Sequence, residues 1–495
     1  MPEHIRALFF ILLMAGIGFT LSRKFIPGFI EGSSFTKRRN AWFFLTITAF
    51  LTANFWIYAL MMFLYLSYSM RKENNYIALY FALLFVLPDS DAIVPGFGLI
   101  NYLIGLSHQK LLVLFILLPA MLRSKSKKAS SGNILPDKIL LIYFAYLMFT
   151  YFRDTEFTNA IRYGVTTLIT MVLPYYAISR HLRNPSEFRE AILSLLIAMF
   201  VLASISALEF VKHWLLYPTI ANAMDLSRGG SYLGREGMLR AMASTGSSIA
   251  LGLTMTVGIG LFMYYQNVTA RKSTIKHGWF ALGVGQIAAL SRGPWVGAIL
   301  TIIAFIMTGK NHVRSMSKLL IIGIIALGVL SLTPMGQKII DFLPFVGKVD
   351  NRNISFREQL ITNSLITIQR NPLTGAADFQ KYPEMQEMFN GVVIDITNTY
   401  LLLALSTGLI GVGLFVLFFA LLARQILKSL KAIPDKSSEV HVLGRALFAA
   451  ICGMMLIIGT VSPIGIIPTI YWAIAGLSAA YIRMVKADFA KPKLT

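Results

Sequence analysis

Residues 333–397 read TPMGQKIIDFLPFVGKVDNRNISFREQLITNSLITIQRNPLTGAADFQKYPEMQEMFNGVVIDIT and form the longest polar interruption of a mostly apolar chain. A loop of this length with its own helix signal is usually functional rather than connective. Ser355 followed by Glu358 predicts a capping box, and Asn371-Pro372 predicts the end of the helix. We therefore expect a helix lying over a bilayer, with Arg357 in its first turn and Arg370 at its end.

The composition is that of a polytopic helical membrane protein. Of the 495 residues, 56% are hydrophobic, which excludes an ordinary soluble domain. The single cysteine, Cys452, excludes an intrachain disulfide and a cysteine-based metal site. The seven histidines show no ligand spacing. We predict an all-α polytopic membrane protein with roughly 12–15 hydrophobic segments, no metal site and no cofactor.

Two apolar runs are too long for one membrane span and are predicted to double back. Ala41–Ser69 reverses near Asn54, and His277–Thr308 reverses near Ser291-Arg292-Gly293. The other apolar runs are 7–21, 76–88, 110–122, 139–153, 161–178, 190–211, 246–266, 319–333, 398–423, 446–461 and 468–482. The chain then divides into N-terminal transmembrane helices (1–333), a loop with a helix (334–397) and C-terminal transmembrane helices (398–495).

The net charge of +22 indicates a membrane topology rather than a nucleic-acid partner. With the basic loop 22–40 placed in the cytoplasm and the spans alternating, the cytoplasmic segments carry 30 of the 45 Lys and Arg residues. They carry only 8 of the 23 Asp and Glu residues. This is the positive-inside pattern, and it predicts a basic face beside anionic membrane lipid. The long loop falls on the opposite, outer side.

Three arginines that are distant in the sequence fall on that outer side or at its membrane boundary. Arg240 ends the loop 212–241, Arg292 lies at the tip of a tight hairpin, and Arg357 lies in the long loop. A guanidinium group stays charged, and its planar fork bonds two phosphate oxygens at once. Arginines converging at this depth suit a lipid-linked diphosphate, which then needs no metal ion.

Each arginine also has a structural interpretation. Arg292 at a membrane boundary can reach the lipid headgroups or cap the preceding helix. Arg240 has charged neighbours in its own loop, including Glu236, and Arg357 has Asp350 as a nearby carboxylate. The sequence leaves both interpretations open for all three residues.

Four stretches of the chain carry a resemblance to a known family. They are LRAMASTGSSIALGL (239–253), LSRGPWVGAIL (290–300), SFREQLITNSLITIQRNPLTGAADF (355–379) and TNTYLLLALSTGLIGVGLFVLFF (397–419). In their order and spacing they resemble the O-antigen ligase and polymerase superfamily, which includes the Wzy-type polysaccharide polymerases. The resemblance extends over residues 235–425. It implies a GT-C-like enzyme of the bacterial inner membrane, with a large partly helical periplasmic loop and a periplasmic active face.

The resemblance also implies an activity and its partners. Enzymes of this kind move a glycan from an undecaprenyl-diphosphate-linked donor to an acceptor hydroxyl without a metal ion or a nucleotide sugar. By residue match, Arg240 would bind the diphosphate, and Arg292 and Arg357 would be catalytic. A flippase and a chain-length regulator of the same pathway are implied as partners.

This chain departs from the family at one position that bears on catalysis. Where ligases carry a histidine proposed as general base, it has Thr397, followed by Asn398. Threonine cannot deprotonate a hydroxyl at neutral pH, so either another group activates the acceptor or the leaving group needs little help from a base. We predict Asp395, the nearest carboxylate, as catalytic; the alternative is a solvated loop charge. The departure favours a polymerase of lipid-linked repeat units over an O-antigen ligase, with a transporter of lipid-linked glycan as the less favoured class.

The remaining predicted substrate-binding residues are Thr397, Asn398, Arg370 and Tyr382. Asn398 has the alternative of capping a helix, and Tyr382 that of joining an interfacial aromatic belt. The loop Pro88–His108 carries Asp89 and Asp91 and would line an outer groove that accepts sugars, unless it is an ordinary loop. Gly408–Gly413 is expected to allow close helix packing.

Overall fold

A computed structural model describes residues 1–98, 101–123, 134–226, 234–235, 237–269, 271–332, 351–389 and 394–490. Within these residues the α-helices, in chain order, are α1 (Glu3–Ser22), α2 (Gly32–Thr52), α3 (Phe55–Ser69), α4 (Tyr76–Leu83), α5 (His108–Leu112), α6 (Leu118–Arg123), α7 (Leu135–Asp154), α8 (Phe157–Thr167), α9 (Leu173–His181), α10 (Pro185–Lys212), α11 (Pro218–Ala223), α12 (Ser248–Val268), α13 (Lys272–Ala288), α14 (Arg292–Met307), α15 (His312–Ser331), α16 (Asn351–Arg370), α17 (Pro383–Gln386), α18 (Thr399–Ala432), α19 (Glu439–Ile458) and α20 (Ile466–Ala490).

The strands are confined to two short antiparallel hairpins among the described residues. They are β1 (Ala92–Pro95) with β2 (Tyr102–Leu106), and β3 (Gly234–Arg235) with β4 (Met238–Leu239). Two π-helical segments, Val113–Leu117 and Leu168–Val172, interrupt the apolar runs that contain them. The predicted all-α fold class is therefore confirmed.

Seven of the described helices are long and apolar enough to cross a membrane. They are Glu3–Phe25, Leu135–Asp154, Pro185–Lys212, Ser248–Val268, Thr399–Ala432, Glu439–Ile458 and Ile466–Asp488. Both predicted reversals are confirmed. Asn54 separates α2 from α3 and accepts hydrogen bonds from the amides of Trp56 (3.0 Å) and Ile57 (3.1 Å). Arg292 opens α14, with three residues between it and the end of α13.

Helix α12 lies at the centre of the bundle, where it packs against α10, α13, α14 and α19. Its small residues allow this close packing. A Cβ atom on Gly252 would lie only 2.6 Å from the Pro294 side chain. The first turns of α12 and α14 therefore touch, which brings the chain after Arg240 close to the chain around Arg292.

Ion pairs at one end of the bundle join loops that the charge pattern assigned to one side. Arg38 forms salt bridges with Glu73 (2.6 Å) and Glu190 (2.7 Å), and Arg189 pairs with Glu439. We call this the basic end. The partners come from segments 22–40, 70–75, 179–190 and 424–445, all of which the alternation of spans placed together.

Contacts at the opposite end join the loops that were predicted to lie on the other side. The Ala241 amide donates to the Ala288 carbonyl (3.0 Å), and Arg153 Nη2 donates to the Gly375 carbonyl (2.6 Å). We call this the site end. The two sets of contacts agree with the predicted alternation of the spans.

The helix of the long loop begins earlier than predicted. Helix α16 starts at Asn351, so the expected capping box at Ser355 is wrong and Arg357 lies in the second turn. Residues 351–354 (Asn-Arg-Asn-Ile) contain neither Pro nor Gly, and nothing in their backbone chemistry prevents one more turn. The end of the helix at Arg370, before Asn371-Pro372, is confirmed.

Helix α18 is broken at Gly408, and the loop after α16 fills the break. Gly408 has φ 64° and ψ −171°, a region open essentially to glycine alone. Across the break, the Ala376 amide donates to the Leu405 carbonyl (2.9 Å). The amides of Leu409 and Ile410 donate to the carbonyls of Pro372 (2.9 Å) and Leu373 (3.1 Å).

These bonds correct the expectation that Gly408–Gly413 serves helix packing alone. A broken membrane helix must find new partners for its freed backbone groups, because lipid offers none. Segment 371–376 supplies them. Gly375 has φ +60°, and a Cβ atom on it would lie 2.3 Å from the Gly408 amide nitrogen. The two glycines thus permit one backbone to dock directly against another.

Helix α7 also contacts the break and the docked segment, through the side chains of Tyr146 and Asp154. Tyr146 donates from its hydroxyl to the Thr407 carbonyl (2.9 Å), another group freed at the break. The Ala377 amide donates to Asp154 Oδ2 (2.8 Å). Residues 372–377 of the long loop are therefore bonded to both α7 and α18.

We expect Gly408→Ala to destabilise the protein. The new methyl group would lie 2.3 Å from the Leu373 carbonyl oxygen, and this backbone conformation alone costs a non-glycine residue about 1–3 kcal/mol. Thermal unfolding of the purified protein in detergent should show a clearly lower midpoint. Gly413→Ala is the matched control, because it lies in the same helix and has no atom within 4 Å of the added Cβ. Equal midpoints for the two variants would contradict the proposed docking.

Candidate active site at the site end

The connection 459–465 between α19 and α20 is the meeting point of the predicted site. Ser462 Oγ donates to Asp395 Oδ1 (2.6 Å) and lies 2.9 Å from the Ile396 carbonyl. Thr399 Oγ1 donates to the Val461 carbonyl (2.8 Å). This connection therefore positions the segment that carries the predicted Asp395, Thr397 and Asn398.

Arg292 borders the same connection. A Cβ atom on Gly293 would lie 2.5 Å from Thr460 Oγ1, so the turn and the connection pack closely. Arg292 itself is half-buried at the first position of α14. The preceding Leu290 has φ +42°, a left-handed conformation that costs a non-glycine residue energy and that clusters at functional sites.

Arg240 lies on a segment that packs against this turn. It follows β4 directly and is half-buried. The next residue, Ala241, bonds to the Ala288 carbonyl four residues before Arg292. On the other side, a Cβ atom on Gly465 would lie 3.7 Å from the Thr245 carbonyl. The structure thus brings the segments of Arg240, Arg292 and Asp395 around one connection.

Glu209 holds the Arg240 segment in place, and sequence reasoning missed it. Its side chain is fully buried at the site end of α10. The carboxylate accepts hydrogen bonds from the amides of Leu216 (3.0 Å), Met242 (3.0 Å) and Ala243 (2.8 Å). Ala243 has φ +45°, so these bonds stabilise a strained turn.

One signal in the sequence pointed to Glu209. It is an acidic residue at the end of an otherwise apolar run, and an ionisable residue in such a position is costly unless it has a function or a set of partners. Two of its three partners, however, lie 33 and 34 residues further along the chain. No local pattern predicts them.

The helix that carries Arg357 packs against the Asp395 segment. Leu360, one turn after Arg357, is buried in an apolar cluster that includes Ile396 and Leu405. Arg357 is exposed to solvent. The alternative partner Asp350 lies outside the described residues.

Arg370 and Tyr382 lie elsewhere and contact each other. Arg370 pairs with Glu384, and its guanidinium carbon lies 5.2 Å from the centroid of the Tyr382 ring. Helix α16 rises about 1.5 Å per residue, so Arg370 is roughly 20 Å along the axis from Arg357. The contacts of this pair are with each other and with Glu384, not with the segments of Arg240 and Arg292, and their role in substrate binding stays a prediction.

Asn398 caps helix α18. Its side-chain oxygen accepts from the amides of Tyr400 (2.9 Å) and Leu401 (3.1 Å), which is the structural alternative that the sequence left open. Thr397 is half-buried beside it. In the part of the chain that the structure describes, no group of three or more His, Cys, Asp or Glu side chains is arranged to hold a metal ion.

Comparison with known proteins supports the resemblance seen in the sequence. Residues 277–416 match the family model described as O-antigen ligase. The matched region contains Arg292, Arg357 and Asp395 and extends past the break at Gly408, whereas Arg240 precedes it. No curated protein matches the chain.

We expect Glu209→Gln to loosen the segment that carries Arg240. An amide nitrogen cannot accept a hydrogen bond, so at least one backbone donor loses its partner, at about 1.5–3 kcal/mol for a bond to a charged group. Hydrogen exchange followed by mass spectrometry should show faster exchange at one or more of Leu216, Met242 and Ala243, on the order of tenfold or more.

Glu3→Gln is the control for this experiment. Glu3 is an exposed carboxylate at the same end, where it accepts a hydrogen bond from Trp214 Nε1 (3.1 Å). That change should leave exchange at 242–243 unaltered. Unchanged exchange in Glu209→Gln would show that the carboxylate does not hold the turn.

Proposed function

We propose that this membrane protein, a member of the O-antigen ligase and polymerase superfamily, polymerises oligosaccharide repeat units carried on undecaprenyl diphosphate. The proposed product is a surface or secreted bacterial polysaccharide, made at the periplasmic face of the inner membrane. The observation that carries the proposal is the convergence of the Arg240, Arg292 and Asp395 segments on connection 459–465. That convergence supplies cations for a diphosphate and a carboxylate for an acceptor hydroxyl.

The arginines would bind the diphosphate of the donor. Arg240 and Arg292 lie on adjacent packed segments, and Arg357 lies on α16, which packs against the Asp395 segment. Guanidinium groups stabilise the negative charge that grows on the diphosphate as it leaves. This electrostatic role requires no metal ion, and we propose a metal-independent reaction.

Asp395 would accept the proton of the acceptor. The acceptor oxygen attacks the anomeric carbon, a new glycosidic bond forms, and the bond from that carbon to the diphosphate breaks. The electron pair of the broken bond leaves with undecaprenyl diphosphate, and the acceptor proton moves to the Asp395 carboxylate. Attack opposite the leaving group inverts the anomeric configuration. Ser462, donating to Asp395, would orient the carboxylate.

A ligase is the second candidate function. The description of the matched family as O-antigen ligase favours it, since a ligase passes finished glycan to a lipid A–core or another acceptor. Thr397 favours the polymerase, because ligases of this family carry the proposed histidine base there. The two candidates share the donor, the arginines and the chemistry, and differ only in the acceptor.

Deletion of the gene distinguishes the two functions. A strain that lacks a polymerase should accumulate single repeat units, whereas a strain that lacks a ligase should accumulate full-length, unattached chains. Electrophoresis of the glycans with mass spectrometry of the lipid-linked pool provides the measurement. We expect single repeat units. Elongation of the lipid-linked oligosaccharide by the purified protein, with no gradient present, would also exclude a transporter.

We expect Arg292→Ala and Arg357→Ala each to lower the rate of transfer by on the order of 10²–10³, the usual cost of one donor to a developing charge. Arg292→Lys should recover only part of the rate, because lysine cannot form the two-pronged bond. Membrane abundance should stay near that of the wild type.

Arg314→Ala is the control for the arginine variants. Arg314 is exposed, lies at the basic end and falls within the region matched by the family model. Its replacement should leave the rate unchanged. Normal chain length in either Arg292→Ala or Arg357→Ala would overturn the role assigned to these arginines.

A further inference from the structure

A small polar pocket lies beside the proposed active site, where α5, the two π-helical segments and α20 meet. Its polar lining residues are Asp89, Gln109, Lys110, Thr170 and Thr469. Both π-helical segments contribute to its wall, through Val113 and through Ile169 with Thr170. Such segments are rare and are frequent at functional sites. The empty space is about that of one water molecule or one hydroxyl group.

Gln109 presents an unused acceptor in this pocket. Its side chain is only 3% exposed. Its amide nitrogen donates to the carbonyls of Leu84 (3.2 Å) and Leu87 (2.9 Å), so the orientation of the amide group is determined. The side-chain oxygen is buried and has no hydrogen-bond partner. A buried acceptor without a partner is costly, and a bound donor removes that cost.

The protons of two neighbouring donors are already used. Lys110 Nζ donates to both carboxylate oxygens of Asp91 (2.7 and 2.9 Å) and to the Gly105 carbonyl (2.9 Å). Thr170 Oγ1 donates to the Thr166 carbonyl (2.9 Å). Towards the pocket, the threonine oxygen can therefore only accept.

Asp89 adds a further acceptor. Burial raises the pKa of this carboxyl, and a hydrogen bond from Ser107 and the nearby Lys110 charge oppose that rise. A bond to a donor in the pocket would replace part of the hydration that burial removes.

The lining selects a neutral donor of hydroxyl size. The pocket is rich in acceptors, so its occupant must donate hydrogen bonds. The Lys110 ammonium opposes a second cation, and the carboxylates of Asp89 and Asp91 oppose an anion. A sugar hydroxyl meets all three conditions.

The pocket lies next to the convergence of the site segments. Ser244 Oγ, four residues after Arg240, donates to the Phe85 carbonyl (2.7 Å), in the segment that leads to Asp89. Thr469 lies in the first turn of α20, directly after connection 459–465. Two short stretches of chain therefore link the pocket to Arg240 and Asp395.

We propose that this pocket receives a hydroxyl group of the acceptor glycan and thereby sets which sugar position is presented for attack. The inference rests on the proposed function and adds to it the acceptor site, which neither the arginines nor Asp395 define.

Kinetics with a diphosphate-free acceptor test the inference. The probe is the repeat-unit oligosaccharide with a simple alkyl group at its reducing end, given to the purified full-length protein at saturating lipid-linked donor. Asp89→Asn and Thr469→Val should each raise the KM for this acceptor, on the order of 10-fold or more, with the KM for the donor unchanged. The controls are Asp225→Asn, an exposed carboxylate at the site end, and Thr254→Val, a buried threonine that bonds only to Ala250 of its own helix.

A second measurement begins with the wild type, for which the result does not depend on the folding of a variant. Among acceptors that each lack one hydroxyl, one should be used less well by the wild type, and Asp89→Asn should lose that discrimination. Three results would overturn the inference while leaving the transferase function intact. They are equal use of all such acceptors, an unchanged acceptor KM in both pocket variants, and a requirement for sodium ions, which would indicate that the pocket holds a cation instead. Failure of the wild type to transfer glycan at all would instead overturn the proposed function, and this inference with it.

Discussion

A helix that breaks inside a membrane protein must be completed by other parts of the chain, and this constraint organises the region around the site. The break at Gly408 frees amides and carbonyls that lipid cannot satisfy. Segment 371–376 satisfies them with backbone bonds of 2.9 to 3.1 Å. The same segment continues from α16, the helix that carries Arg357. The hydrogen bonds that complete the membrane helix α18 thus also fix the position of α16, which precedes it in the sequence.

A second constraint acts on the other half of the site. The buried Glu209 carboxylate bonds three backbone amides and stabilises a turn in which Ala243 has a left-handed backbone. Leu290, just before Arg292, is strained in the same sense. Strain of this kind persists only where the surrounding structure determines it fully. Here the two strained turns pack against each other through the bond from Ala241 to Ala288, which holds together the segments that carry the two arginines.

Much of the architecture could be predicted because hydropathy and charge are local properties. The reversals at Asn54 and Arg292 followed from runs too long for one span, and the end of α16 followed from Asn371-Pro372. The grouping of loops at two ends followed from the positive-inside pattern. The predicted start of α16 was five residues too late, because an apparent capping box at Ser355 outweighed a stretch that lacks helix-breaking residues. The docking of Gly375 on Gly408 was missed, because a glycine in an apolar run usually indicates helix packing.

By itself the amino-acid sequence determined the membrane-spanning helices, their alternation and the choice of Arg240 and Arg292 as residues of interest, since each depends on neighbouring residues and on the cost of placing charge in lipid. Asp395 became a residue of interest through the resemblance to the family, at the position where Thr397 replaces a histidine. Only the tertiary structure decided which of them meet. It joined Asp395 to Ser462, 67 residues away, supported the Arg240 segment on Glu209, and left Arg370 with Glu384 and Tyr382. The physical reason is that hydrogen bonds between distant segments depend on how the helices pack. That packing is the outcome of many contacts at once and leaves no periodic pattern along the chain.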